Sequence, residues 1–349
     1  MQTCGMGKRR QDPVEVNADG SADLYEISDW ETRSTLDRFA HWLYHIGIRT
    51  LRYLVVVVAI LILVAQLLFG SLGALGNQPL FAGMAILSAI PALGLAAYIY
   101  YADVTTQEPL TLLVGTFLLG VLFAGFAGIL NGLFGAPIQA IGSGFGLVPF
   151  LGQVFFFFLI VGPVEETVKL LAVRLYAFRD NRFDAVVDGA VYGAVAGLGF
   201  ATIENALYIT QNTEMVGGTV QLLAASSDIT AVRALAGPGH VIYSAFAGYY
   251  LGLAKFNPED AGPIVLKGLL IASLIHAVYN TLSSPVTAIL AGIYNVDFLV
   301  AFFGFVIVYD SIFGLLLLKK IDAYRQAYHR AHEDQDETRI HSEQTEFDP

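Results

Sequence analysis

Stretches of about 20 apolar residues recur along the whole chain, near 51–70, 79–101, 110–134, 149–176, 188–210, 235–254, 265–290 and 298–318. An α-helix of that length crosses the roughly 30 Å hydrocarbon core of a bilayer, where every backbone N–H and C=O must be paired within the segment. The pattern predicts an all-α polytopic membrane protein with about eight transmembrane helices. Composition agrees: 55% of the 349 residues are hydrophobic, 14% are charged, and mean hydropathy is +0.60, whereas a soluble domain carries roughly 25% charged residues. The polar lead-in and the spanning length of the first apolar run read as a retained anchor rather than a cleaved signal peptide.

Lys and Arg mark one side of the membrane. Lys8, Arg9, Arg10, Arg33, Arg38, Arg49 and Arg52 precede the first span, Arg179 and Arg182 separate the fourth and fifth, Lys255 and Lys267 the sixth and seventh, and Lys319, Lys320 and Arg325 follow the eighth. The opposite connections hold only Arg233. Cytoplasmic connections carry this excess, so both termini are expected in the cytoplasm, in the plasma membrane of a cell. The division is then a tail over 1–50, a membrane domain over 51–320 with its motif core at 149–290, and a tail over 321–349. The formal net charge of −11 resides mostly in the tails, which read as solvated; it argues against nucleic acid as a partner and leaves the lipid bilayer as the surroundings. Cys4 is the sole cysteine, so neither an internal disulfide nor a thiolate cluster can form. His41 and His45, flanked by Arg38, Trp42 and Arg49, read as an interfacial helix.

Within the apolar runs a few polar residues stand out. Glu165, Glu166 and Lys169 interrupt the fourth, directly after Gly162-Pro163, which should bend that helix and free carbonyls for polar partners or water. A charge at such depth costs at least about 2.5 to 3.5 kcal/mol, so groups kept there carry out chemistry or transport. In the fifth run, Gly189, Gly193 and Gly197 recur every four residues and Glu204, followed by Asn205, continues the stripe, which faces a packed interior. Two of seven histidines lie in spans, in matching contexts: His240 with Ser244 four residues on, and His276 with Asn280 four residues on. Counting rise per residue puts Glu166 and His276 roughly 15 Å deep and His240 and Glu204 roughly 23 Å deep, one layer that lets all four meet. The stretch 211–230, rich in Gly, Ser and Thr, reads as an external connection above that layer and a gate for substrate.

These motifs resemble the PrsW-type intramembrane proteases, within the wider superfamily of CAAX prenyl proteases and bacteriocin-processing enzymes. The resemblance runs from about residue 98 to 318. It rests on Glu165-Glu166-x-x-Lys169, Phe200-x-x-x-Glu204-Asn205, His240-x-x-x-Ser244 and His276-x-x-x-Asn280, in that order. The CAAX branch carries His where this chain has Glu204 and an Arg one position beyond Lys169, so the chain is PrsW-like and prenylated substrates are not implied.

The resemblance implies a peptidase that cuts a membrane-anchored protein, such as an anti-sigma factor or similar regulator. Its catalytic residues map onto Glu165, Glu166, Glu204, His240, His276 and Asn280, supported by Lys169, Asn205 and Ser244. Hydrolysis needs a base for water, a group to hold the oxyanion and an acid for the leaving amine. Glu165 or Glu166 is the candidate base, His240 and His276 candidate acids or oxyanion holders, and Asn280 a substrate-orienting donor. The competing arrangement is a Zn2+ ion on Glu204, His240 and His276, two histidines and a carboxylate being an ordinary catalytic zinc set. A catalytically inactive scaffold of the same fold, or a proton-coupled secondary transporter, would bury the same residue types.

Overall fold

The computed structural model describes residues 12–17, 23–45, 79–105, 107–144, 149–213 and 219–344. The expected first span, and Cys4 with the basic residues around it, lie outside the described residues. Among the described residues ten α-helices follow in order: α1 Pro13–Asn17, α2 Thr35–Leu43, α3 Pro79–Ala102, α4 Leu110–Gly144, α5 Pro149–Phe156, α6 Gly162–Leu175, α7 Val186–Thr213, α8 Thr219–Phe256, α9 Ala261–Tyr294 and α10 Phe298–Gln344. Within that same set, β-pairing is confined to one isolated bridge between Tyr25 and Asp29.

Five of these helices contain stretches long and apolar enough to cross a membrane: Gly83–Ala102, Leu110–Gly135, Val186–Gln211, Ala261–Tyr294 and Phe298–Ala331. The predicted runs 149–176 and 235–254 are also helical, but they carry Glu165, Glu166 and Lys169, or His240, which dilute their apolar character. Outward-facing Ile86, Leu87, Leu93, Ile307, Val308, Ile312 and Leu315 form the belt that hydrocarbon would cover. The apolar window of α7 is 83% buried, against 28% for α3 and for α10, so α7 is the axis of the bundle.

Close approach of α7 to α8 is set by glycine. A Cβ on Gly189, Gly193 or Gly197 would collide with the backbone oxygen of Gly248, Ser244 or His240 respectively, and one on Gly252 with that of Val186. The small-residue stripe is a zipper in fixed register, four residues per step on both helices. Nearer the site, the predicted bend at Pro163 is taken up by a π-helical turn over Phe157–Val161, in which the Gly162 N–H reaches Phe157 O. The extra residue in that turn accommodates the proline, which lacks the N–H for an ordinary helical bond. Gly162 then lets α6 press against the Ser273 carbonyl of α9.

Two expectations need correction. The stretch 211–230 is not a long connection: α7 runs to Thr213 and α8 starts at Thr219, because the sequence from Val220 to Ala225 is rich enough in Leu and Ala to sustain a helix that the Ser/Thr content disguised. The tails are also more ordered than their charge implied. The α10 helix runs on to Gln344, with Gln326 bonding Asp322 one turn back at 2.8 Å. At the other end, Asn257 Nδ2 donates to Ser28 O at 3.1 Å, Glu26 pairs with Lys320 at 2.7 Å and with Lys267, and Asp37 pairs with Lys267. The acids of the N-terminal segment are thus counterions for basic residues at one end of the bundle.

Asp12 anchors that segment. It accepts from the Val14 and Val186 N–H groups at 2.9 and 3.0 Å and from the Tyr324 hydroxyl at 3.0 and 3.1 Å. Burial outweighs these bonds and pushes its carboxyl up to about 6. The native state therefore holds a proton that a free Asp releases near pH 3.8: docking is tightest below that pH, weakens as pH rises through about 6, and by pH 7 has lost about 3 kcal/mol. Hydrogen exchange of residues 12–17, corrected for intrinsic rates, should be slower at pH 5 than at pH 7, and Asp12→Asn should remove the difference.

Candidate active site

The helix α6 presents Glu165, Glu166 and Lys169 to the bundle interior, just beyond the π turn. Glu166 and Lys169 are fully buried, at 0% exposure. Glu166 is held on three sides: Oε1 accepts from Lys169 Nζ at 2.7 Å and from His276 Nδ1 at 2.8 Å, and Oε2 from Ser244 Oγ at 3.2 Å. A single carboxylate thereby joins α6, α8 and α9, and three of the four sequence motifs meet on it. Lys169 also lies 4.2 Å from the Phe200 ring centre, a cation–π contact that accounts for the aromatic opening the second motif.

His240 is the next link. Lys169 Nζ stands 2.9 Å from its Nδ1, and an ammonium can only donate, so Nδ1 accepts and the proton sits on Nε2. That Nε2 meets Glu204 Oε2 at 2.8 Å. The same oxygen receives Arg233 Nη2 at 2.7 Å, while Arg233 Nε donates to Asn205 Oδ1 at 2.8 Å. Asn205 Nδ2 in turn reaches the carbonyls of Ser88 and Arg233 at 3.4 and 3.2 Å. Adjacent Glu204 and Asn205 therefore divide the work: Glu204 faces the histidine, and Asn205 braces the arginine that neutralises it.

His276 is held the opposite way. Its Nδ1 faces a carboxylate, which can only accept, so the proton is on Nδ1 and the Nε2 lone pair is free. It points toward Glu165 Oε2, 3.7 Å away. Asn131 on α4 donates to Glu165 Oε1 at 3.1 Å, whereas Glu165 Oε2 is buried without a hydrogen-bond partner. Ligand atoms of Glu165, His240 and His276 lie within 4.8 Å of one another. A gap of 3.7 Å between His276 Nε2 and Glu165 Oε2 is close to that between two ligands of a tetrahedral zinc with bonds of about 2.1 Å. Histidine tethered through Nδ1 to a carboxylate is also the usual support for a metal ligand. Glu165 Oε2 and His276 Nε2 thus offer two open donor atoms that fit a zinc ion, while His240 can add a third through Nδ1 only where the Lys169 ammonium gives up its place there. The carboxylate grouped with the two histidines is Glu165, while Glu204 lies on the far side of His240.

Glu165, Glu204, His240, His276 and Asn280 line a cavity of about 480 Å³, and Asn131, Arg233 and Tyr243 also face it. Buried ions are costly unless paired, and here three carboxylates face two cations, Lys169 and Arg233. Sequence reasoning missed Asn131, the one amide in the apolar run 110–134, and it assigned Arg233 to an external connection. The isolation of Arg233, as the sole basic residue on its side of the count, was the signal that it has a buried partner.

A helical membrane bundle whose core holds an interlocked Glu/His/Lys cluster beside a cavity has the makings of a membrane-embedded hydrolase. The sequence profile of the PrsW family intramembrane metalloproteases matches residues 108–309, and the chain belongs to this family. Relatives include the protease PrsW of Geobacillus kaustophilus, 31% identical over 198 residues (55% of this chain, 76% of the relative), and those of Oceanobacillus iheyensis, 32% over 200 residues (56% and 82%), and Bacillus subtilis, 30% over 200 residues (56% and 81%). No solved structure matches the chain significantly. The protein is a multi-pass membrane peptidase that acts on a protein substrate, which sets aside the transporter and scaffold readings.

Proposed function

We propose that the chain cleaves a membrane-anchored regulator of the anti-sigma-factor type, at a site built from Glu165, Glu166, Glu204, His240, His276 and Asn280. The observation that carries this reading is the free Nε2 of His276 facing, across 3.7 Å, the Oε2 of Glu165, which accepts no hydrogen bond. His276 and Glu165 would hold zinc there, with His240 joining them through Nδ1 once Lys169 Nζ moves off that nitrogen. Bound in that position, the ion supplies Lewis acidity to a water and to the scissile carbonyl. Glu166 keeps the proton of His276 on Nδ1, and Glu204 accepts the Nε2 proton of His240. Asn280, on the cavity wall, donates to the substrate backbone, and Ser244 and Lys169 hold Glu166 in place. A second, metal-free reading is favoured by one contact: the Lys169 ammonium already stands between Glu166 and His240. In that reading Glu165 takes the proton from water.

The architecture extends the same proposal. Eight spans would occupy 51–320, around a motif core at 149–290, with the segments 1–50 and 321–349 in the cytoplasm of a cell bounded by this membrane. Supporting this, Asp12 contacts both Val186 and Tyr324, and Glu26 contacts both Lys267 and Lys320, so the two tails share one end of the bundle with the basic connections.

Elemental analysis of the detergent-purified protein distinguishes the readings. One zinc per chain is expected in the wild type and little in Glu165→Gln or His276→Ala, while Glu204→Ala should weaken zinc binding by about 10- to 100-fold, because Glu204 orients a ligand. Active wild type without metal would overturn the zinc reading and leave Glu165 as the base.

A further inference from the structure

At the end of the bundle shared by the tails, three carboxylates converge that take no part in the site above. Asp103 follows α3, Glu108 precedes α4 and Asp188 sits in the first turn of α7, 16 residues and about 24 Å along the helix from Glu204. One oxygen from each lies within 4.8 Å of the other two. Among the described residues none of the three pairs with Lys or Arg.

The lone pairs can be counted. Asp188 Oδ2 accepts the N–H groups of Asp184 and Ala185 at 2.7 and 2.9 Å, and Asp103 Oδ1 accepts the N–H and hydroxyl of Thr105 at 2.8 and 2.7 Å. Glu108 Oε2 accepts the Tyr192 hydroxyl. That leaves Glu108 Oε1 and Asp103 Oδ2 buried without a donor, and Glu108 as a whole is only 4% exposed. Glu108 and Asp188 also lie within hydrogen-bonding reach of each other, and buried oxygens of like charge need a proton or a cation between them. Burial, reinforced by the charges of Asp103 and Asp184, pushes the Glu108 carboxyl up to about 8, and burial raises Asp103 as well.

We propose that Asp103, Glu108 and Asp188 bind a hard divalent cation, Ca2+ or Mg2+, which ties the α3–α4 connection to the start of α7. Every donor is oxygen, with the Thr105 hydroxyl 3.4 Å from Asp188 Oδ1, and such a set selects hard ions over zinc, which the histidines of the other site suit. The cation fixes the helix that carries Glu204, without touching substrate.

The test titrates full-length protein in detergent, freed of Ca2+ and Mg2+, with CaCl2 or MgCl2 separately, by calorimetry and thermal melting, with zinc measured in parallel. Glu108→Gln is the diagnostic variant, because the amide oxygen still accepts from Tyr192 and the volume is kept. One equivalent of Ca2+ or Mg2+ should bind the wild type and raise its melting temperature by about 3 to 5 °C, and Glu108→Gln should bind at least about 10-fold more weakly with unchanged zinc. Equal binding by wild type and variant overturns the proposal. So does a wild type indifferent to both ions while Glu108→Gln melts higher, since the acids would then share protons instead.

Discussion

Glu166→Gln should lower cleavage of a membrane-tethered substrate by about 10²- to 10⁴-fold while leaving the chain helical. The substitution keeps the volume of the side chain and removes only its charge. The carboxylate can only accept, so it commits His276 to the Nδ1–H tautomer and leaves Nε2 open toward Glu165. A glutamine can turn its amide N–H toward the same nitrogen, which moves the proton to Nε2 and closes the side of the ring that faces the cavity. Lys169, at 0% exposure and 2.7 Å from Glu166, then keeps a buried charge with only Glu165 at 3.8 Å to balance it. Breaking a buried pair from one side costs about 3 to 5 kcal/mol, so a lower melting temperature should accompany the lost activity. Ser244→Ala is the control. Its hydroxyl makes one 3.2 Å bond to the other oxygen of Glu166, and its loss should cost no more than about 1.5 kcal/mol. If Glu166→Gln retained wild-type turnover, the role given to the Glu166–His276 bond would be wrong.

The helical class and the residues of the cluster were readable because both are local properties. Twenty-residue apolar runs announce helices, and three- or four-residue spacings put Glu166 beside Lys169 and His276 beside Asn280 on single faces. Depth suggested that the four motifs meet; three of them join through the bonds of Glu166 to Lys169, α8 and α9, and the fourth through the contact of His240 with Glu204. What stayed hidden depends on pairings across long separations. Arg233 looked like a loop charge because the polar start of α8 resembles a connection, and only its contact with Glu204 reveals it as an interior cation. Asn131 carries no periodic signal of its own. Whether Glu165 or Glu204 completes the set with the two histidines turns on which side of the His240 ring each approaches, and no spacing in the sequence encodes that. The acidic N-terminal segment read as solvated because its counterions, Lys267 and Lys320, lie more than 200 residues away.

Gly248→Val should lower both the melting temperature and the activity sharply, whereas Gly292→Val should leave both nearly unchanged. At Gly248 any Cβ would intrude well inside contact distance of the Gly189 carbonyl oxygen and crowd the Gly193 Cα, both backbone atoms that no rotamer change can move. The helices must part by on the order of 1 Å or slide, and overpacking of this kind costs about 1 to 3 kcal/mol or more. The same displacement reaches the cluster, because Gly248, Ser244 and His240 succeed one another on one face of α8 and oppose Gly189, Gly193 and Gly197 on α7. Glycines that looked like a packing seam therefore set the depth at which His240 meets Glu204 and Lys169, so seam and site are one feature. Gly292, on α9, has open space where a Cβ would stand, with no heavy atom within 4 Å, so its replacement meets no steric obstacle and the restricted backbone of the unfolded chain offsets the cost of a β-branched residue. Measured side by side as the yield of monodisperse protein and its melting temperature, the two variants separate close packing from the general burden of a β-branched residue in a helix. A Gly248→Val protein that folded and melted like wild type would mean that the α7–α8 zipper does not hold the bundle together.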